Sequence, residues 1–347
     1  MSSQFLSGAL ALRVFACFGA AYFMSYALRS VNAVIAPDLV GEFGLSNSQL
    51  GALSSAYFFS FALLQLPLGV SLDRFGSRPT HASLLLVAAA GCATFALAQD
   101  FVALWIGRAL VGAGVAGALM AALKGYRFWY PAERQQQLAA WMLVVGTGGA
   151  LAVTLPVQLL VEQIGWRGVF WVAAGLMLLC AAAIWTLVPR DEEQQVHPAE
   201  PGSIWSGYLE VFRDRYFWRF APAAMVVQGT FISMQSLWAG PWFRRVLGMS
   251  AVESANALFV FNLVLLCAYI GLGAALPALS RAGWSTFRIV SVSTVFVLVL
   301  QAWIGLADAA LAWMLWLPFA VLSTGYIVLQ PHVCTTFPPA LTGRAYT

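Results

Sequence analysis

The chain is 347 residues long, 61% hydrophobic and only 9% charged, with a net charge of +4. A soluble domain carries roughly 25% charged residues, so these figures exclude a water-soluble globule, and so small a positive excess is no nucleic-acid signal. A helix crosses the bilayer core with ~20 apolar residues. Ten such segments follow one another, near residues 11–36, 48–71, 80–98, 101–123, 136–160, 167–188, 217–241, 254–278, 285–306 and 309–330. They are too long and unbroken for barrel strands, which alternate over ~10 residues. The predicted fold class is an all-α polytopic membrane protein.

The first segment carries Tyr22, Ser25, Tyr26, Arg29 and Asn32 at three- and four-residue spacing, which puts them on one helix face. Arg29 lies roughly 10 Å inside the outer end of that helix at 1.5 Å per residue. The fourth segment places Arg108 at a similar depth. Arginine keeps its proton in a protein, so each buried guanidinium costs several kcal/mol. Two of them at one level, with phenols nearby, would clamp a carboxylate, nitrate or phosphate bidentately. The alternative is structural: both snorkel, or bond the carbonyls of broken helices. Gly112, one turn beyond Arg108, leaves room beside the guanidinium, and the other glycines of that segment read as helix-packing residues. Lys124 lies near an end of the same segment, where snorkelling accounts for it.

The fifth segment holds Gly146-Thr-Gly148-Gly149 and then Pro156. After the sixth, the polar stretch 188–216 reads as a linker whose second part has helical apolar spacing and suits an interface. The organisation expected is therefore 1–188, a linker at 189–216, and 217–347. In the second part Gln228 and Gln235 share a face of the seventh segment, with Trp238 near its end. Asn262 and Tyr269 do likewise in the eighth, and Ser323, Thr324, Tyr326 and Gln330 lie in the tenth. Cys17, Cys92, Cys180, Cys267 and Cys334 are widely spaced and read as small buried hydrophobes, not as a metal or disulfide set.

The parts echo each other. Pro37 precedes Gly44-Leu45-Ser46 as Pro241 precedes Gly248-Met249-Ser250, and Gly117 with Pro131-Ala132 matches Gly325 with Pro339-Ala340. This is the pattern of a duplicated six-helix unit. The second copy stops at PPALTGRAYT, so the expectation is a second half lacking its last two spans, with a ten-span protein as the alternative. With the N-terminus inside, the inner loops hold Arg74, Arg78, Lys124, Arg127, Arg134, Arg190, Arg213, Arg215, Arg281, Arg288 and Arg344. The outer loops of the first half hold only Arg167, while Arg244 and Arg245 are an exception in the second. That asymmetry orients the chain with a cytoplasmic N-terminus.

After the second segment the chain reads Gly69-Val-Ser-Leu-Asp73-Arg74-Phe-Gly76-Ser-Arg78. This resembles the signature loop of the major facilitator superfamily, G-x-x-x-D-[RK]-x-G-x-[RK]. Arg108-x-x-x-Gly112 in the fourth segment is similar to the R-x-x-x-G pattern of that family. Within the first segment, Tyr26-Ala-Leu-Arg29-Ser-Val-Asn32-Ala-Val-Ile-Ala36-Pro37 resembles the anion:cation symporter branch. The resemblance covers most of the first four segments. It implies two pseudo-symmetric six-helix halves rocking about a central site, with Gly69, Asp73, Arg74, Gly76 and Arg78 as a conformational latch. It also implies that Arg29 and Arg108 meet the substrate's negative charge or support that site.

One departure matters. Leu28 precedes Arg29, Val115 stands seven residues after Arg108, and no Asp or Glu lies deep in any segment. Proton coupling through a membrane carboxylate is therefore in doubt, and His332 is a group able to titrate near neutral pH in its place. The function expected is a secondary transporter of a small, anionic organic solute working by alternating access. Its substrate-binding residues would be Arg29, Arg108, Tyr22, Tyr26, Asn32, Gln228 and Gln235. The alternatives are a nitrate/nitrite-type exchanger, a peptide or drug carrier, and a non-transporting membrane sensor. An enzyme is not expected, since there is no nucleophile–histidine–acid set, metal-ligand cluster or nucleotide loop. No cofactor, metal or nucleic acid is implied; the partners expected are the solute, a coupling ion and membrane lipid, for a monomer in the inner membrane.

Overall fold

Backbone groups in a bilayer must be satisfied internally, so long apolar runs fold as helices. The computed structural model describes residues 8–131, 134–189, 209, 212–306 and 308–325. It divides into two compact units, Met1–His197 and Pro198–Thr347. In the first, α1 is Gly8–Phe43, α2 Asn47–Phe75, α3 Ser77–Ala96, α4 Phe101–Val115, α5 Ala118–Trp129, α6 Gln135–Ala152 and α7 Leu155–Leu187. In the second, α8 is Arg215–Ser233, followed by a π-helical turn Met234–Trp238, then α9 Ala239–Arg245, α10 Ala251–Arg281, α11 Thr286–Leu306 and α12 Ala309–Ser323. Among the described residues, six helical stretches are long and apolar enough to cross a membrane, and two apolar helices are shorter.

All ten hydrophobic segments are helical over their described residues, but three are not single helices. The fourth breaks at Ala116–Gly117 into α4 and α5. The fifth is α6 followed by the start of α7, with a break at Val153–Thr154; the turn to the sixth falls at Gly165, whose φ is +71°. The seventh contains the π turn. Such breaks depend on which backbone lies opposite, which a hydrophobic run does not reveal.

In the first unit α3 packs on α4 and α7, α2 on α4, and α1 on α6 and α7. Lipid tails are as apolar as leucine, so close helix contact, not water exclusion, holds such a bundle. The α3–α4 contact is close enough that a Cβ built on Gly114 would lie 2.2 Å from the Ala88 nitrogen, and one on Gly91 2.6 Å from that of Val111. In the second unit α12 packs on α10 and α11, and α9 on α10. Trp316 is fully buried there among Phe243, Phe261, Trp242 and Phe319, with ring centroids 5.0 to 5.6 Å away.

The duplication is visible in local geometry. Gly44 (φ +65°) and Gly248 (φ +69°) both end a helix, and each is followed by a capping serine. The Ser46 hydroxyl accepts from Gln49 N–H, and the Ser250 hydroxyl accepts from Glu253 N–H. The side chains of Gln49 and Glu253 return bonds to the two serine nitrogens. Asp100 caps α4 and Asp308 caps α12 by the same side-chain bond. Gly76 (φ +83°) and Gly283 (φ +79°) occupy matching turns, where a side chain would be strained.

Candidate functional site

On α1, the Arg29 guanidinium lies over the Tyr26 ring, 4.4 Å from its centroid, and 5.6 Å from that of Phe61 on α2. It is half-buried, its Nε has no hydrogen-bond partner, and the phenols of Tyr57, Tyr26 and Tyr22 stand around it, with that of Tyr57 in hydrogen-bond contact. Tyr22 and Tyr26 meet edge to face at 5.0 Å. Both rest against Gly146 of α6, where a built Cβ would come within 2.8 Å of Tyr22 and 3.0 Å of Tyr26. The glycine run of the fifth segment thus makes room for the phenols beside Arg29.

The two arginines are not equivalent. Arg108 is 1% exposed, whereas Arg29 is half-buried. Its Nη1 donates to the carbonyl of Leu28, the residue before Arg29, at 2.9 Å, and its guanidinium packs 4.8 Å from the centre of the Tyr57 ring. Of the two structural roles open to it, carbonyl bonding is the one observed. Tyr57 joins the two cations: its ring carries Arg108, and its hydroxyl acts on Arg29 and donates to the Ser25 carbonyl at 3.3 Å. Asn32 is buried and donates to Ser54 Oγ on α2 at 3.3 Å, leaving its Oδ1 unpartnered.

The geometry therefore gathers Arg29, Tyr22 and Tyr26 on one face with Arg108 behind them and Asn32 one turn along. Tyr57 and Ser54 were missed in the sequence. Their signal is the spacing Ser54, Tyr57, Phe61 on one face of α2, hidden in an apolar run. In the second unit, Gln235 sits in the π turn and its Nε2 donates to Asn262 Oδ1 at 2.8 Å, while Asn262 Nδ2 donates to the Leu258 carbonyl. Ser323 and Thr324 bond carbonyls of their own helix. The Gln228 side chain, most of the linker, and Tyr326, Gln330, His332 and Cys334 lie outside the described residues. Cys267 is exposed, correcting its assignment as a buried hydrophobe.

Of the residues expected to form a latch, the side chains of Asp73 and Arg74 also lie outside the described set. Gly76 caps α2 through its N–H to the Leu72 carbonyl and opens α3. Arg78 donates to the Trp185 carbonyl of α7 and lies 5.2 Å from the centroid of that ring. At the other end of this unit Arg167 pairs with Glu42 at 2.5 Å and donates to the Ala98 carbonyl at 2.9 Å, stitching α7 to α1 and to the α3–α4 turn.

The family model described as Major Facilitator Superfamily matches residues 18–347. The chain is 26% identical to the hexuronate transporter of Escherichia coli (strain K12) over 293 residues, 77% of this chain and 65% of that protein. It is also 26% identical to a probable nitrate/nitrite antiporter of Thermus thermophilus over 261 residues, 71% of this chain and 57% of the relative. The chain thus spans somewhat less than two thirds of either relative. Among solved structures, it resembles a bacterial homologue of the human lysosomal transporter Spinster, with a TM-score of 0.75 at 18% identity, covering 98% of this chain and 78% of the other.

Proposed function

Because the chain belongs to the major facilitator superfamily and has its multi-pass helical fold, we propose that it is a secondary transporter of a small organic anion working by alternating access. The observation that carries this reading is Arg29: a half-buried guanidinium with a free Nε, ringed by phenols, with no carboxylate of the described residues acting on it. An arginine fork in that setting meets a planar carboxylate with two parallel hydrogen bonds. Arg29 is the residue that touches the anion, with Tyr22 and Tyr26 as hydroxyl donors beside it. Arg108 acts by holding the Leu28 carbonyl and the Tyr57 ring, so it positions the site and does not contact the solute. Asn32 positions it too, through Ser54.

Gln235 and Gln228 are polar groups of the second unit suited to the hydroxyls of a sugar acid. The loop of Gly69, Asp73, Arg74, Gly76 and Arg78 serves as the conformational latch, in an inner-membrane monomer with its N-terminus in the cytoplasm. The hexuronate relative supports a hydroxylated monocarboxylate as the solute. The antiporter relative, together with spans that lack acidic residues, favours exchange of nitrate or nitrite as the second reading.

Uptake of labelled galacturonate into proteoliposomes tests the reading. Arg29→Gln lowers it by about two orders of magnitude, the cost of a lost charge-assisted pair at about 1.4 kcal/mol per tenfold. Arg29→Lys keeps the charge but loses the fork and also falls. Equal uptake by wild type and Arg29→Gln would refute the assignment, and nitrate counterflow without galacturonate uptake would select the second reading.

A further inference from the structure

A second cluster of buried polar atoms lies in the first unit, away from the arginines. His81 is the fifth residue of α3 and is 0% exposed, and neither ring nitrogen has a hydrogen-bond partner. Its ring stacks on Phe18 of α1, with centroids 5.8 Å apart and planes within 8°. Its Nδ1 lies 3.6 Å from where a Cβ on Gly117 would sit, at the α4–α5 break. Gln65 of α2 converges on the same break. Its Nε2 donates to the Ala116 carbonyl at 3.3 Å, while its Oε1 is buried without a partner.

Each buried polar atom left unpaired costs about 1–3 kcal/mol, so three around one helix break call for an explanation. Packing alone does not supply it, since a phenylalanine in place of His81 would stack on Phe18 without that cost. Among the described residues, no charge of either sign acts on the imidazole. On its own helix Arg78 is turned to Trp185 of α7, and Cys17 of α1 points at the Ala183 carbonyl. From α4, Arg108 stands beside Cys92, eleven residues further along α3. From α5, Tyr126 meets the same Phe18 ring edge to face at 6.0 Å, and neither it nor Lys124 is among the groups that act on His81. The side chains of Asp73 and Arg74 on α2 lie outside the described residues.

We propose that His81 is the proton-binding residue of this carrier, protonated when the packing of α1, α3 and the α4–α5 break loosens and admits water. A bare imidazolium fully buried and stacked on Phe18 would cost several kcal/mol, so the packed arrangement accepts only the neutral ring. Water reaching the break satisfies Gln65 Oε1 and both imidazole nitrogens, and there the cation is tolerated. A ligand that binds one of two arrangements shifts the equilibrium toward it, so acid favours the opened one. This gives the chain a titratable group within its spans, where no Asp or Glu lies deep. The coupling role rests on the transport reading; protonation on opening does not.

The chain has three histidines, so deuterium exchange at imidazole C2, resolved by mass spectrometry on the detergent-purified full chain from about pH 5 to 8, reports each one. The expected result is slow exchange at His81 that follows a titration curve, and Phe18→Ala accelerates it roughly tenfold, equivalent to about 1.4 kcal/mol of easier opening. Silence at His81 across the range, while the other two exchange, overturns protonation on opening. In proteoliposomes His81→Gln loses galacturonate accumulation driven by a pH gradient but keeps counterflow at symmetric pH within about twofold of wild type. His81→Phe, which keeps the stack on Phe18, behaves the same way and serves should the glutamine variant misfold. Gradient-driven accumulation that survives in the folded variants overturns the coupling role. If wild type moves no galacturonate, the transport reading has failed, and the exchange experiment judges the protonation by itself.

Discussion

The sharpest test of the architecture around Arg29 is a methyl group placed where two helices touch. In Gly112→Ala the new Cβ would sit 2.2 Å from the Tyr57 carbonyl oxygen and 2.6 Å from Ser60 Oγ. An ordinary contact begins near 3.4 Å, so α2 and α4 must part locally by about 1 Å. Ser60 can rotate, but the Tyr57 carbonyl is backbone within α2 and moves only with its helix. Overpacking of this kind costs about 1–3 kcal/mol. It also shifts Tyr57, which carries Arg108 on its ring and acts on Arg29. A displacement of ~1 Å in a positioning group costs up to ~100-fold in rate. Gly148→Ala is the control, because its Cβ would meet nothing closer than a Phe23 ring carbon at 3.8 Å. Thermal melting in detergent and galacturonate uptake are then read on both variants. Gly112→Ala melts several degrees lower and loses most uptake, while Gly148→Ala matches wild type. Equal behaviour of the two would refute the claim that the α2–α4 contact sets the geometry at Arg29.

Two further outcomes follow from single contacts. Tyr57→Phe keeps the ring under Arg108 but removes the hydroxyl that donates to the Ser25 carbonyl. It should cost about 0.5–1.5 kcal/mol of stability and, on the proposed function, lower anion affinity at Arg29; unchanged affinity in a thermal-shift titration would argue against the shared platform. Glu42→Gln breaks an ion pair whose side chains are 38% and 42% exposed, so its effect on melting is at most about 1 kcal/mol and shrinks with added salt. A large, salt-independent loss would mean that this contact does more than tie helix ends together.

Much of the fold was legible because its causes are local. Runs of ~20 apolar residues have no option in lipid but to close their own hydrogen bonds, and all ten segments are helical over their described residues. The repeat was readable at Gly44-Leu45-Ser46 and Gly248-Met249-Ser250, since a left-handed glycine followed by a capping serine is a short-range device. The breaks inside the fourth and fifth segments were not legible. The breaks at Ala116–Gly117 and Val153–Thr154 fall where they do because of the neighbouring helices, and a glycine that packs reads the same as one that breaks.

For the site, the amino-acid sequence by itself determined that Arg29 is special, because a fixed charge deep in an apolar helix is costly wherever the helix lies. It also placed Tyr22 and Tyr26 on the same face, through the period of the helix alone. Only the tertiary structure separated the two arginines, making Arg29 half-buried and giving Arg108 to the Leu28 carbonyl and the Tyr57 ring. It alone revealed Tyr57, and His81 with both nitrogens unpaired. Which carbonyl, ring or empty space faces a buried polar group is decided by residues distant in the chain, and one helix's periodicity carries no record of them.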